Sequence, residues 1–385
     1  MLAADRGYVA LLRLRGAGPL WLWTSLARLQ YGVLPLALLL LLAERRHSFA
    51  EAGTTLAGYG LAAGLLGPFR ARLADRAGVR RVLVVLAVLL ALALTGLTVA
   101  ADAPLAVTLF LAVLAGSVPP PVGPVMRAAW RRMAGDDQDL LRRAYSFDAV
   151  GEEVLYVLGP LVAAATAASL GPRTAVLGSA GLLVLAAAGT AACLPKGQRP
   201  VAPRSRAGSR RRGVAGLAPV AGLGFLLGGL EVAGVAAALA AARPSAAGLP
   251  AAAVSVGSVI GGLLYGRRRW PGDHGSQARL LACAAAVAVA LAATCTANVD
   301  LMVGVLSLAG LFIAPAIVSS YLLADESAAA GSTEATAWVN ASFNACLALG
   351  SAAAGVVVDA ASPRLAMLVL AGVASVVVLV PRPAD

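Results

Sequence analysis

Residues 67–83 read GPFRARLADRAGVRRVL, and this short charged stretch separates two long apolar ones. Five arginines fall within residues 70–81, whereas residues 50–69 and 82–101 on either side are rich in Ala, Leu, Val and Gly. About 20 mostly apolar residues suffice for a helix to cross the ~30 Å hydrocarbon core of a bilayer. The pattern therefore predicts two antiparallel transmembrane helices joined by a short basic turn.

The composition extends this interpretation to the whole chain. Of 385 residues, 59% are apolar and 13% are charged, and the mean hydropathy is +0.83. Soluble domains are nearer 45–50% apolar and about 25% charged. These values exclude an intrinsically disordered chain and a disulfide-stabilised scaffold. They predict an all-α integral membrane protein that crosses the lipid bilayer many times.

Twelve apolar segments are long enough to span a membrane. They are residues 18–43, 50–69, 82–101, 105–126, 145–170, 174–194, 215–242, 248–266, 279–298, 301–323, 336–358 and 364–381. With the N-terminus inside, 25 of the 31 Lys and Arg residues fall in cytoplasmic segments and 5 in external ones. Basic residues accumulate in cytoplasmic loops. We therefore expect both termini in the cytoplasm of a cell (inner or plasma) membrane, and the net charge of +12 does not indicate nucleic-acid binding.

A polar interruption divides the chain into two halves. Residues 195–214 are rich in Pro, Gly, Ser and Arg, which is typical of a flexible linker. We therefore predict a six-helix bundle over 1–194, a basic cytoplasmic linker over 195–214 and a second six-helix bundle over 215–385. The halves share weak matches at corresponding span positions: Gly64 with Gly262, Gly116 with Gly310, and Gly159 with Gly350.

The turn at 67–83 carries the most specific signal. Asp75-Arg76 is followed by Gly78 and then by Arg80-Arg81. This resembles the cytoplasmic signature of the major facilitator superfamily, although Ala71 stands where that pattern often has Gly. The resemblance implies a secondary transporter that alternates access between two six-helix bundles. In it, these residues would form a cytoplasmic gate.

A second resemblance lies in the fifth span. Gly151 and then Gly159-Pro160 are similar to the glycine-rich motif of drug/proton antiporters. Eight residues separate these glycines instead of four, and Ala163-Ala164 replaces the closing pair. The resemblance implies antiport, whereas a Gly-Pro step is equally an ordinary device for kinking and packing a membrane helix.

Four ionisable residues stand out deep inside predicted spans, where a charge costs at least ~2.5–3.5 kcal/mol and indicates a functional site. We expect Arg28 to pair with Glu152 or Glu153, in either a structural or a functional role. Glu231 has no basic residue nearby in its own span. A lone carboxylate in a low dielectric binds a proton readily, so Glu231 is the first candidate for proton coupling, followed by Glu152 and Glu153.

Polar and aromatic residues in the same spans are candidates for a substrate cavity. Asn340 and Asn344 share a helix face, and Tyr156 is one turn after Glu152, where it could donate a hydrogen bond to it. These residues could equally form interhelical hydrogen bonds. With Arg28, the cavity candidates are Gln30, Tyr31, Tyr156, Trp338, Asn340 and Asn344.

The sequence contains no Walker A, HExxH, nucleophile-elbow or CxxC pattern, so we expect no enzyme activity, cofactor or metal. We predict proton-coupled efflux of a small molecule by a monomer. The alternatives are a proton-coupled uptake symporter and a non-transporting membrane scaffold or sensor with the same fold.

Overall fold

The computed structural model describes residues 8–46, 49–195, 217–243, 246, 249–268, 270–326 and 334–379. In these residues the secondary structure is helical, and no strand occurs. Small and aliphatic residues dominate the helices, because a bilayer offers no partner for an unpaired backbone amide and small side chains let helices approach closely.

The first half of the chain forms nine helices in the described ranges. They are α1 (Val9–Leu12), α2 (Ala17–Arg46), α3 (Phe49–Leu65), α4 (Gly67–Ala77), α5 (Val79–Val99), α6 (Leu105–Ser117), α7 (Val122–Ala134), α8 (Gln138–Leu170) and α9 (Pro172–Cys193). Residues 196–214 of the predicted linker lie outside the described residues.

The second half forms six more helices in the described ranges. They are α10 (Leu217–Ala240), α11 (Leu249–Arg267), α12 (His274–Thr294), α13 (Val299–Glu326), α14 (Glu334–Ala360) and α15 (Pro363–Leu379). Every predicted span overlaps a helix in the described ranges; the second span also includes the start of α4, and the fourth is divided between α6 and α7. Ten helical segments in the described ranges are long and apolar enough to cross a membrane. Because α3 and α15 have only 17 residues each, the count of twelve crossings stays a prediction.

The basic turn between the second and third spans is more ordered than the sequence indicates. Residues 67–77 form α4 instead of a loop, and only Gly78 interrupts the helices, with φ of +97°. Pro68 lies in the first turn of α4, where a missing N–H costs nothing. Gly78 links α4 to α5 and has the positive φ that the sequence predicts for a glycine in this turn.

Contacts divide the chain into two compact units. The first holds Met1–Gly135, Gly151–Pro203 and Ala330–Ala337. The second holds Asp136–Val150, Arg204–Ala329 and Trp338–Asp385. In the first unit α2 and α5 pack on α9, and α3 packs on α6. In the second unit α13 packs on both α11 and α12, and α15 packs on α10 and α12.

Two of the three glycine pairs matched between the halves make the same kind of close contact with a neighbouring helix backbone in each unit. A Cβ at Gly116 would lie 2.2 Å from the Tyr59 carbonyl oxygen of α3, and one at Gly310 would lie 2.2 Å from the Val254 carbonyl oxygen of α11. A Cβ at Gly159 would lie 2.4 Å from the Gly32 carbonyl carbon of α2, and one at Gly350 2.0 Å from the Phe225 carbonyl oxygen of α10. Equivalent helix crossings therefore accompany the weak sequence repeat.

The fourth span is broken in two. Its first part, α6, ends at Ser117, and α7 begins only at Val122, after three consecutive prolines. Proline removes a backbone donor and clashes with the preceding turn, so the run 119–121 ends one helix and allows another to start. The break leaves carbonyl groups of α6 without helical partners in the interior of the first unit.

Candidate functional site

Three charged side chains from different helices meet in the first unit. Arg127 of α7 donates from Nη2 to both oxygens of Glu152 in α8, at 2.9 and 2.8 Å. Arg28 of α2 lies with Nη1 3.6 Å from Glu152 Oε1. The two side chains Arg28 and Arg127 are 5% and 2% exposed, and the glutamate is 26% exposed. The predicted pairing of Arg28 with one of the two adjacent glutamates is thus seen with Glu152.

The backbone of Gly123 packs directly against the side chains of this group. Its carbonyl oxygen accepts a bond of 3.4 Å from Arg28 Nη2. A Cβ at this position would lie 3.3 Å from Arg127 Nη1 and 3.5 Å from Glu152 Oε1. Because Gly123 is in the first turn of α7, the break in the fourth span decides where these side chains meet.

Arg127 corrects the sequence interpretation, which places residues 127–143 in a cytoplasmic segment. In the structure its guanidinium is buried and bonded to Glu152. The reason is that α7 is a separate helix that begins after the prolines, and its second turn places Arg127 in the interior of the first unit. The apolar residues around it, in the run VMRAAW, are a signal that this arginine does not face water.

Two tyrosines lie beside the charged group. Tyr31 donates to the Pro120 carbonyl oxygen at 2.5 Å and lies within electrostatic reach of Arg28. Tyr156 is 64% exposed and interacts electrostatically with Glu152, but the described hydrogen bonds include none between these two side chains, contrary to expectation. The half-buried Glu153 also lies within electrostatic reach of Tyr156.

Gln30 does not join this group. Two positions after Arg28, it projects from α2 about 160° away from it. Its side chain is fully buried, and no described residue hydrogen-bonds its amide group.

Arg70 satisfies the carbonyl groups that the broken span exposes. Its Nη1 donates to the carbonyl oxygens of Gly116 and Ser117, both at 3.3 Å, and its Nη2 donates to that of Ala63 at 2.6 Å. The last carbonyls of a helix lack intrahelical partners and carry partial negative charge. A guanidinium has several N–H donors and a positive charge, so one buried side chain can satisfy several of these carbonyl oxygens at once. The sequence interpretation treats Arg70 only as a basic loop residue.

The predicted cytoplasmic gate residues have different surroundings. Asp75 is buried in α4 and interacts electrostatically with Arg132 at the end of α7. Arg76 and Arg81 are exposed and Arg80 is partly exposed. The acidic member of the motif is therefore buried within electrostatic reach of α7, whereas the basic members are exposed or partly exposed.

In the second unit the polar candidates form a neutral group. The Tyr321 hydroxyl donates to the side-chain oxygen of Asn340, and the rings of Tyr321 and Tyr145 meet edge to face at 6.3 Å. Asn344 donates to the Asn340 carbonyl oxygen of its own helix at 2.8 Å. Trp338 is exposed and lies two positions before Asn340 in α14.

Glu231 takes part in no ion pair or hydrogen bond among the described residues, and it is exposed on α10. Its neighbours Leu230 and Ala233 belong to the buried apolar core of the second unit. Among the described residues, no group of His, Cys, Asp and Glu is arranged to hold a metal ion.

A cavity of about 420 Å³ in the second unit contains none of the predicted residues. It lies where α10, α12 and α15 end or begin, and its lining includes Ala237, Thr296 and Arg364. Its lining is mostly small and apolar, so it does not extend the candidate site.

Comparison with known proteins decides the family. The sequence model of the Major Facilitator Superfamily matches residues 20–242. The chain belongs to the Major Facilitator Superfamily. Comparison with curated proteins gives no significant match.

Solved structures of other transporters show the same superfamily fold. A bacterial homologue of the iron transporter ferroportin, in an outward-facing state, is similar with a TM-score of 0.71 and 16% identity over 94% of this chain and 98% of that one. The human organic anion transporter MFSD10 (TETRAN) is similar with a TM-score of 0.67 and 16% identity over 94% of this chain and 97% of that one. At this identity the likeness establishes the fold alone.

This member of the superfamily is therefore a multi-pass membrane protein with a transporter fold and a small-molecule substrate. Its Gly159, part of the motif that resembles the antiporter pattern, sits at a close crossing of α2 and α8. Pro160 follows it within α8. Gly159 thus allows the backbones of α2 and α8 to approach closely.

Proposed function

We propose that this superfamily member is a secondary active transporter that exports a small molecule in exchange for protons. It would cross the cell membrane twelve times with both termini in the cytoplasm and act as a monomer. Glu231 is the proposed proton site, and Asp75, Arg76, Gly78, Arg80 and Arg81 form the proposed cytoplasmic gate.

The observation that carries the proposal is the isolation of Glu231. It is exposed on a membrane-spanning helix, and no described residue pairs with it or hydrogen-bonds it. An ionised carboxylate is costly in such an apolar environment, whereas the protonated form is not. A group in this position can take up a proton from one side of a membrane and release it on the other.

Exchange follows if the proton and the substrate compete for one carboxylate. A protonated Glu231 has no charge to offer to a cationic group, whereas an ionised one attracts it. Binding of one therefore excludes binding of the other, which is the requirement for antiport. Glu152 is a weaker candidate for this role, because Arg127 and Arg28 already neutralise its charge.

Proton movement in proteoliposomes that contain a trapped pH-sensitive dye tests this function. Cationic dyes, amino acids and sugars would be added to wild type, to Glu231→Gln and to a control, Glu44→Gln. Glu44 is exposed near the end of α2. We expect substrate-triggered proton movement in wild type and the control, and none in Glu231→Gln.

The direction of the proton movement separates export from uptake. Protons that move opposite to the substrate support antiport, and protons that move with it would show a symporter instead. Equal proton movement in Glu231→Gln and wild type would refute the role of Glu231. Glu152 and Glu153 would then be tested in the same way.

A further inference from the structure

The first unit contains a concentration of buried positive charge. Arg28, Arg70 and Arg127 are each less than one tenth exposed. Arg70 contacts carbonyl groups and meets no carboxylate among the described residues. A guanidinium inside a membrane protein is costly unless an anion or a set of carbonyl dipoles stabilises it.

Two of these arginines converge on a single carboxylate. Arg127 Nη2 holds both oxygens of Glu152, and Arg28 Nη1 lies 3.6 Å from one of them. The three side chains together carry a formal charge of +1. The guanidinium fork matches the geometry of carboxylate and phosphate groups, and it is the side chain that proteins use most for bidentate binding of such anions.

The glutamate lies on the accessible side of this group. Arg28 and Arg127 are almost fully buried, whereas Glu152 is 26% exposed. Tyr156, one helical turn further along α8, is 64% exposed. A molecule that enters from this side meets Glu152 and the Tyr156 ring before it meets the arginines.

We propose that Arg28 and Arg127 form the binding site for a carboxylate group of the transported molecule, and that Glu152 occupies this site when the molecule is absent. The transported molecule thus carries a carboxylate or similar anionic group in addition to the cationic group that competes with the proton at Glu231. The proposal rests on the proposed function only in calling this ligand the transported one.

Binding is then an exchange of one carboxylate for another. The ligand carboxylate takes the place of the Glu152 carboxylate at the two guanidinium groups, and Glu152 turns to the accessible side. The charge at the arginines is the same before and after the exchange. No new uncompensated charge is created in the interior of the unit.

The exchange predicts that loss of the Glu152 charge strengthens anion binding, since a neutral side chain competes less for the arginines. The charged and titratable groups that face Glu152 are Arg28 from α2, Arg127 from α7, and Glu153 and Tyr156 from its own helix.

Anion binding to the purified full-length protein in detergent tests the proposal. Benzoate, succinate and phenyl phosphate would be titrated by calorimetry, with benzamide as the uncharged counterpart of benzoate. We expect saturable binding of at least one anion and none of benzamide. Binding to Glu152→Gln should be at least about tenfold tighter, because a competing charged group is removed while its shape is kept.

Variants of the arginines and of a remote acid complete the test. Arg28→Gln should abolish anion binding. Arg28→Lys keeps the positive charge and should bind anions more weakly than wild type, so it tests the site even if Arg28→Gln does not fold. Glu44→Gln should bind as wild type does. The proposal is overturned if none of the three anions binds to wild type or Glu152→Gln, or if Glu152→Gln binds no more tightly than wild type.

The outcome is independent of the proposed function, because binding in detergent requires no transport. Binding of an anion without its movement across proteoliposomes would support the site and count against its ligand being the transported molecule. Proton movement that depends on Glu231, together with no anion binding, would support the proposed function and overturn the anion site.

Discussion

Replacement of Gly159 by alanine should loosen the crossing of α2 and α8. The new Cβ would lie 2.4 Å from the carbonyl carbon of Gly32. Ordinary contact between carbon atoms needs about 3.5 Å or more, so the helices must separate by about 1 Å. This atom meets backbone, which cannot turn away as the end of a flexible side chain can.

The cost follows from overpacking. Forcing an extra methyl into a close contact costs about 1–3 kcal/mol, and the higher helix propensity of alanine recovers up to about 1 kcal/mol. We expect a net loss of about 1–2 kcal/mol. Because Arg28 is one turn before Gly32 in α2, the same separation should lengthen the 3.6 Å contact between Arg28 and Glu152.

Equilibrium unfolding in mixed detergent micelles, with sodium dodecyl sulfate as the denaturant and circular dichroism as the signal, measures this loss. The matched control is Gly178→Ala in α9, where nothing lies within 4 Å of the new Cβ. The control should be as stable as wild type or slightly more stable. If Gly159→Ala and Gly178→Ala unfold at the same denaturant concentration, the crossing is not as tight as the structure indicates.

Three further substitutions probe the contacts around the site. Arg70→Gln should lower the unfolding free energy by about 1–3 kcal/mol, since buried carbonyls lose charged donors, whereas Arg76→Gln, at an exposed position, should change it little in the same unfolding assay. Tyr321→Phe removes the hydroxyl that binds Asn340 and should cost about 1 kcal/mol; an unchanged unfolding midpoint would contradict the bond. Asp75→Asn removes the negative charge within reach of Arg132 at the end of α7. It should slow transport in proteoliposomes while leaving the unfolding midpoint almost unchanged; a lowered midpoint that accounts for the slower transport would indicate a purely structural residue.

Much of the fold follows from the sequence, because length and hydropathy alone decide which segments suit a bilayer. The helices fall at the predicted span positions, and Gly78 has the positive φ that the turn requires. The hydropathy pattern does not show which individual charged side chains are buried. Arg127 and Arg70 look like loop residues in a hydropathy count, yet both are buried.

The reason lies in partners that are distant along the chain. Arg127 is stabilised by Glu152, and Arg70 by carbonyls that become available only because the proline run breaks the fourth span. A sequence shows the prolines and the arginines separately, but their combination depends on tertiary packing. The pairing of Arg28 is easier to predict, since both it and its carboxylate lie inside apolar segments and a charge there demands a partner.

The distance between Arg28 and Glu152 along the chain has a consequence for biosynthesis. Arg28 leaves the ribosome about 120 residues before Glu152, which corresponds to roughly 6–25 s at about 5–20 residues per second. During this time the Arg28 side chain in the first span has no Glu152 to pair with. An unpaired arginine at the centre of a helix in lipid costs ~2.5–3.5 kcal/mol. The first helix should therefore remain beside the insertion machinery until the fifth helix is made, and the order of release into the bilayer would differ from the order of synthesis.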